Sequence, residues 1–411
     1  MALVALAGVR PAVAQVPGAP TPAGGSSQTV EDIRDNYRIH VGPFYMNPAL
    51  LLKELGVDTN VFNTAEDPKT DFTATVTPVA DVAVPVARKA LFKATVGADF
   101  VYFGTYASER SIDPQVRVRA EGYIHRVTLF AEDAYLNTRE RPNYEIDLRS
   151  RHLENDAVAG VKLQATPKLS GEIGARSAET RYDADAYFNG TPLQQTLNRT
   201  TSGAVGAIHD RLTPLTSVGV KFDRLRDTFP YSPGRNSDSY RIMPGVEFKP
   251  KALIRGSAWV GYRSFTPDNP KELPAFSGLV ADVGLSYTLL GSTTLGASYF
   301  RDLTYSYEVE QPFFVDNSAG VSIRRELGGR FDAIVTGDRH RYDYHSQLTA
   351  ALPKADGRVD TTWVYGANVG YRLNSAARVG FGVSYYTRNS TLVNSVQYDG
   401  LRFGVTVNYG I

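Results

Sequence analysis

The stretch from Leu401 to Ile411, LRFGVTVNYGI, alternates without a break. Leu401, Phe403, Val405, Val407, Tyr409 and Ile411 share one parity; Arg402, Gly404, Thr406, Asn408 and Gly410 share the other. A period of two separates these sets onto opposite faces of a strand. The same pattern recurs upstream. In GLVADVGLSYTLL, Leu279, Ala281, Val283, Leu285, Tyr287 and Leu289 oppose Asp282, Gly284, Ser286 and Thr288. In WVYGANVGYRLN, Trp363, Tyr365, Ala367, Val369, Tyr371 and Leu373 oppose Gly366, Asn368, Gly370 and Arg372. In QVRVRAEGYIH, Val116, Val118, Ala120 and Ile124 oppose Arg117, Arg119, Glu121 and His125. Such runs reach about 12–15 residues, well beyond the roughly 5–6 of an ordinary strand. They also exceed the roughly 9–11 residues with which a tilted strand crosses a bilayer.

Punctuation organises these strands. Tight turns are expected at Thr166-Pro167-Lys168, Thr213-Pro214-Leu215, Lys249-Pro250-Lys251, Leu290-Gly291-Ser292, Leu327-Gly328-Gly329 and Leu373-Asn374-Ser375. Longer polar segments such as RDTFPYSPGRNSD and SFTPDNPKELPAF lie between them. Short turn and long loop in alternation predict an all-β fold, a transmembrane up-and-down antiparallel β-barrel of about 18 strands. The alternative count is 16, because Pro48 and Gly56 interrupt the pattern before Asp71. The first strand is expected over Phe44–Phe62. This phase puts both termini and the short turns on the periplasmic side and the long loops outside. A repeat of roughly 40 residues also suits a β-propeller, but a blade needs four short strands per repeat, and here each repeat holds two long ones. A barrel also explains the amphipathic terminus, since the last strand must pair with the first to leave no open edge in lipid.

Composition narrows the classes. A chain of 411 residues would, as a soluble protein, divide into two or three domains. The absence of cysteine excludes thiolate metal sites, disulfides and cysteine nucleophiles. A formal net charge of +1 gives no reason to expect nucleic-acid binding. No run approaches the roughly 18–20 apolar residues of a spanning helix. A mean hydropathy of −0.25 still accommodates a barrel, whose strands are only half apolar. The opening MALVALAGV followed by Ala12-Val13-Ala14 predicts a signal peptide over 1–14. Residues 15–37 are expected as a flexible periplasmic linker, and 38–411 as the outer-membrane barrel.

From about Arg38 to Ile411 the chain resembles the β-barrel porin family often encoded in exopolysaccharide gene clusters. The likeness lies in VGPFYMNPALLLKELGVDTNVFN, in units such as LQATPKLSGEIGARSAETRYD and LTPLTSVGVKFDRLRDTF, and in the terminal YDGLRFGVTVNYG. It implies a bacterial outer-membrane barrel serving polysaccharide export, and it supplies no functional residues. The partners expected are outer-membrane lipid, the barrel-assembly machinery, and a polysaccharide or anionic solute. A terminal aromatic, usual in such barrels, is replaced by Ile411, with Tyr409 two residues earlier.

The polar parity carries the candidate chemistry. Its basic members are Arg117, Arg119, Lys162, Arg176, Lys221, Arg241, Lys249, Arg255, Arg263, Arg324, Arg330, Arg372 and Arg402. Its acidic members are Glu121, Glu172, Asp223, Glu247, Asp282 and Asp332. A charge facing hydrocarbon costs about 2–4 kcal/mol at the bilayer midplane, so these residues are expected to line the lumen. Read as a solute path, they predict an electropositive pore for an anionic solute; read as wall residues, they are cross-strand ion pairs. Tyr182, Tyr240, Phe265, Phe276, Tyr305, Phe313, Trp363, Tyr385 and Tyr398 cluster toward the loop ends. They are expected as an interfacial girdle, with a sugar-stacking platform as the alternative for any that point inward. DRHRYDYH brings Asp338, His340, Asp343 and His345 together in sequence, the one place where a metal or hydrolase site is conceivable. No catalytic constellation, cofactor motif or metal site emerges. The function expected is a porin-like channel, not an enzyme; the alternatives are an adhesive or structural barrel displaying its loops, and an outer-membrane hydrolase.

Overall fold

The computed structural model describes residues 33, 37–87, 89–250, 252–347, 357–393 and 396–410. The expected signal peptide, nearly all of the linker, and Ile411 lie outside the described residues. The barrel strands are β1 (Phe44–Asp58), β2 (Asp71–Val86), β3 (Ala90–Phe103), β4 (Ser111–Ile124), β5 (Val127–Thr138), β6 (His152–Gln164), β7 (Leu169–Tyr182), β8 (Arg199–Thr213), β9 (Thr216–Thr228), β10 (Ser237–Phe248), β11 (Ile254–Pro267), β12 (Phe276–Leu289), β13 (Thr293–Tyr305), β14 (Phe313–Glu326), β15 (Phe331–His345), β16 (Val359–Arg372), β17 (Ala377–Ser390) and β18 (Tyr398–Gly410). Each pairs antiparallel with its neighbour in sequence. β18 pairs with β1 from Ala49↔Gly410 to Asp58↔Arg402, which closes the sheet. The count is therefore 18, with the short strand Ile39–Val41 folded back on β1 as a nineteenth member of the sheet.

Parity decides the facing. Leu279 and Val321 are each 64% exposed, and Phe381, Val335 and Ile173 are nearly as open. Polar residues of the opposite parity, among them Thr73, Thr75, Arg176, Asp302 and Asp332, are buried. The outside of this barrel is thus its apolar side, the inverse of a soluble fold. Only a hydrocarbon surround makes that arrangement favourable.

Two features of the closing seam correct the expected first strand. β1 ends at Asp58 rather than Phe62. The Asp58 carboxylate accepts the Asn60 N–H (3.0 Å), and the Asn60 side chain accepts the Thr64 N–H (3.0 Å) and donates to the Asp399 carbonyl (2.9 Å). These bonds turn the chain over the rim instead of extending it. Within β1 the register slips between Leu52 and Leu55, with Glu54 at φ 53°, a one-residue bulge. At Gly56 an added Cβ would meet the Phe403 carbonyl oxygen at 1.9 Å, so only glycine lets β1 and β18 close here. Pro48 lies next to Ala49↔Gly410, the last described rung with β18, at the end of the described pairing on that side.

The two rims differ. Short turns join β2 to β3, β4 to β5 and so on around one rim, the turn end, where Arg38 Nη1 donates to the Gly410 carbonyl (2.8 Å). Ile33, which is buried, packs there against Tyr45, Ala83 and Leu91. The other rim, the loop end, carries the longer connections. Near it the ladder between β12 and β13 stops at Ala281↔Arg301, while β13 and β14 stay paired up to Tyr305↔Phe313. The β13–β14 tip therefore parts from β12 and leans over the lumen. Leu303, Tyr305, Phe313 and Val315 have the outward parity of Arg301, yet they are buried in an apolar cluster with Phe229, Phe265 and Phe276.

Candidate functional site

The lumen at the loop end is crossed by residues 139–151, the connection between β5 and β6. Asn143 starts its fold, its side-chain oxygen accepting the N–H groups of Glu145 (2.8 Å) and Ile146 (3.1 Å). This local cap aims the next residues inward. Arg141 donates to the carbonyls of Asp147 and Val61, both at 2.7 Å, and Asn63 donates to Asp147 (3.0 Å). Tyr144 reaches His340 on β15, with ring centroids 4.6 Å apart. Ile146 enters the apolar cluster beside Tyr182, Leu193 and Leu197. The segment thus touches the β1–β2 loop, β15, β17 and the β13–β14 tip.

Charged groups lock it there. Arg388, fully buried on β17, donates to Asp147 (2.8 Å), to the Glu145 carbonyl (3.2 Å) and to Asp360 (2.7 Å). Arg358 holds Asp360 with two bonds (3.1 and 2.7 Å) and also pairs with Glu308. Arg235 donates to the carbonyls of Thr196 and Ser306, both at 2.8 Å, tying three loops together. Glu145 accepts from the Ser306 hydroxyl and has no exposed surface. Burial pushes its carboxyl up to about 7, against the pull of the Ser306 hydroxyl. Burial also raises Asp147, although Arg388 opposes it. A buried array of this kind is held by mutual satisfaction, and losing one member leaves another charge without a partner.

Below this closure the inner wall is a ladder of ion pairs. Arg119 bridges Glu121 (2.7 Å) and Glu132 (2.8 Å), and Arg117 also reaches Glu132 (3.2 Å). Arg176 pairs with Asp156 (2.7 Å). Asp302 sits between Arg241 (2.9 Å) and Arg263 (2.7 Å), with Asp223 on the far side of Arg241. Lys221 lies 3.9 Å over the Trp259 ring and 3.9 Å from Glu247. Toward the turn end, Asp332 gathers Arg378, Arg372 (3.7 Å) and Arg324 (3.8 Å). Arg402 joins Asp58 (2.6 Å) and Glu54 across the closing seam.

A closed barrel, an apolar exterior, a charged interior and an inward loop together describe a channel wall with a constriction. The family model described as Putative beta-barrel porin 2 matches residues 36–410. The chain belongs to this porin family. No curated protein matches it. Among solved structures, a BenF-like porin from Pseudomonas fluorescens Pf-5 is similar, with TM-score 0.52 and 12% identity over 90% of this chain and 98% of that one. The outer membrane protein opdK from Pseudomonas aeruginosa has TM-score 0.46 and 11% identity over 89% of this chain and 98% of that one. The family and the barrel fold imply an outer-membrane location.

The porin's inner face holds Arg117, Arg119, Glu121, Lys162, Arg176, Lys221, Arg241, Glu247, Arg255, Arg263, Asp282, Arg324, Arg372 and Arg402, as their parity requires. Arg330 does not join them: it is exposed in the β14–β15 turn and donates to the Leu373 carbonyl (3.1 Å). Lys249 likewise sits past the end of β10, in a turn. The expected excess of basic over acidic residues is also overturned. Asp58, Asp99, Glu132, Asp156, Asp302 and Asp360 carry the inward parity too, and most face an arginine or lysine. Along the chain Arg117 and Arg119 have Glu121 and His125 nearby; Glu132, across the ladder on β5, pairs with both arginines.

The expected aromatic girdle divides. Tyr240, Trp363 and Tyr385 do face outward. Tyr182, Phe265, Phe276, Tyr305 and Phe313 instead pack against one another in the loop-end cluster, and Tyr398 is buried. DRHRYDYH is split by the strand: His340 points inward to Ser318 (2.8 Å), while His345 stacks on Phe313 (4.7 Å) on the opposite parity. No group of three metal-capable side chains gathers among the described residues. Sequence reasoning missed the 139–151 segment altogether. Its signal was RERPNYEIDLRSR, a stretch between strands that places Tyr144 and Ile146 among charges.

Proposed function

We propose that this porin is gated by residues 139–151 and passes a hydrophilic solute of the saccharide class, an exported exopolysaccharide among them. The long loops face the exterior in this reading, with the short turns and both termini periplasmic. It is consistent with a signal peptide over 1–14, a periplasmic linker over 15–37 and delivery to the barrel-assembly machinery. The family and fold match channels rather than enzymes.

One observation carries the choice of solute: the arginines of the inner wall are paired with carboxylates along most of the lumen. Paired charges leave a small net field, so they attract anions weakly, since each carboxylate cancels its guanidinium. They still offer fixed donors beside fixed acceptors. Hydroxyl-rich solutes exchange hydrogen bonds with both, whereas a simple anion uses only one kind. An excess of unpaired lumen arginines, the basis for anion selectivity, is therefore lacking in this reading.

Liposome swelling tests this. Proteoliposomes should swell in a neutral oligosaccharide at least as fast as in an acidic one of the same size. Swelling only in the acidic sugar would favour the anionic solute and contradict the proposal.

A further inference from the structure

The outer face of β13–β16 near the loop end carries charge that membrane strands ordinarily exclude. Arg301, Asn317 and Arg341 lie opposite one another across three adjacent strands, and all have the outward parity. Arg339 is two residues from Arg341 on the same face and lies opposite Trp363. Its guanidinium stacks over the Trp363 ring at 5.5 Å, and its Nε has no partner among the described residues. Arg341 pairs with Asp343 (2.7 Å), which also accepts from Asn317 (2.8 Å). Arg301 is anchored to the Leu279 carbonyl (3.0 Å) and to Asn317. Three arginines and one aspartate thus share a patch, a local excess of positive charge.

Its height is informative. Arg339 shares its rung with Tyr299 and Trp363, and the next outward rung toward the turn end carries Val321, Tyr365 and Tyr385; these aromatics form the belt that marks a membrane–water interface. The outward rungs after that carry Val335 and Val369, exposed and apolar. The arginines therefore stand at headgroup level, directly above surface that acyl chains would cover. Residues two apart on a strand face are about 7 Å apart, and alternate strands about 10 Å. That spacing lets the guanidiniums of Arg339 and Arg341 close on one phosphate with Arg301 at its edge, and guanidinium forks match phosphate oxygens bidentately. The contrasting cluster elsewhere on this rim is self-satisfied: Arg226 pairs with both Asp238 (2.7 Å) and Asp268 (2.6 Å) and offers no excess positive charge.

We propose that Arg301, Arg339 and Arg341 form a binding site for the phosphorylated headgroup of an outer-leaflet glycolipid. Trp363 holds Arg339 in place, and the apolar rows beneath receive the acyl chains. The source of the phosphate rests on the proposed orientation, with the loop end outside. Clustered basic side chains at a membrane surface attract anionic lipid headgroups electrostatically.

The test uses the full-length barrel in detergent with purified bisphosphorylated lipid A, its dephosphorylated form as control, and native mass spectrometry as readout. The parent should retain lipid A. The Arg339→Gln/Arg341→Gln variant should retain at least tenfold less, while still migrating as a folded barrel without heating. Arg226→Gln should bind as the parent does. Equal retention by the double variant, or equal retention of dephosphorylated lipid, overturns the site. Orientation is read separately, by labelling an Asp185→Cys variant on intact cells with a membrane-impermeant maleimide. Failure to label overturns the outer-leaflet source; labelling combined with undiminished lipid A binding by the double variant overturns the site alone.

Discussion

Arg388 Nη1 and Asp147 Oδ2 lie 2.8 Å apart at the loop end, joining β17 to the segment that connects β5 and β6. Neither side chain has appreciable exposure. Removing one member of a buried pair strands the other, at about 3–5 kcal/mol. Arg388→Ala should therefore release residues 139–151. Trypsin would then cut folded barrels at Arg139 or Arg149, on the order of a hundredfold faster than in the parent. Equal protection would mean that the segment is held by something other than this pair.

Glu145 gives the closure a pH dependence with a definite sign. Burial raises its carboxyl to about 7, with Ser306 pulling it down and Glu308, Arg358 and Arg388 acting from around it. In a released segment it would titrate near the ordinary value of about 4.3. The inward state is therefore favoured in full below that value, and this contribution is lost as pH rises toward 7. The burial-raised Asp147 acts in the same direction. Conductance should increase between roughly pH 4 and 7, and Glu145→Gln should flatten much of the curve toward its low-pH level. A parent that closes on alkalinisation would contradict this assignment.

In the lumen, the paired charges should set selectivity by their balance. Glu132 pairs with both Arg117 and Arg119. Arg117→Gln/Arg119→Gln leaves Glu121 and Glu132 without these partners, so reversal potentials in a salt gradient should shift toward cations. Glu132→Gln should move them toward anions by a smaller amount, and both shifts should grow at low salt, because screening acts over about 8 Å at 0.15 M. An arginine variant that leaves the potential unchanged would contradict this.

The closing strand is tested by parity. Val405 and Val407 face outward and Thr406 and Asn408 inward, on rungs shared with β17 and β1. Arginine at Val405 or Val407 should block assembly, the charge costing about 2–4 kcal/mol near midplane. The same change at Thr406 should leave a heat-modifiable barrel. Tolerance on both parities would contradict the facing.

How much of this was legible in the sequence follows from where each kind of information resides. The alternation in LRFGVTVNYGI or GLVADVGLSYTLL is local, so strand existence and facing could be read directly, and the count to 18 or 16, the choice resting on the interrupted first strand. Partnership between strands is not local. Glu132 lies 13 residues from Arg119 along the chain, and Asp302 is 39 from Arg263, so the pairing that neutralises the wall was hidden. The loop-end aromatics misled for a related reason. Tyr305 and Phe313 carry the outward parity, and only the early end of the β12–β13 ladder turns them inward. The constricting segment obeys no strand period at all, and its geometry depends on Arg388, 241 residues beyond Asp147.

In the proposed gating, residues 139–151 close this porin's lumen from the loop end. Single-channel conductance in planar bilayers tests it most directly, comparing the parent with a variant in which Asn143–Asp147 is replaced by a Gly-Ser linker of equal length. Both should fold, as judged by heat-shifted migration. The parent should conduct weakly, and the variant several-fold more. A parent that already conducts as a wide pore, with no change on replacing the segment, would contradict the account.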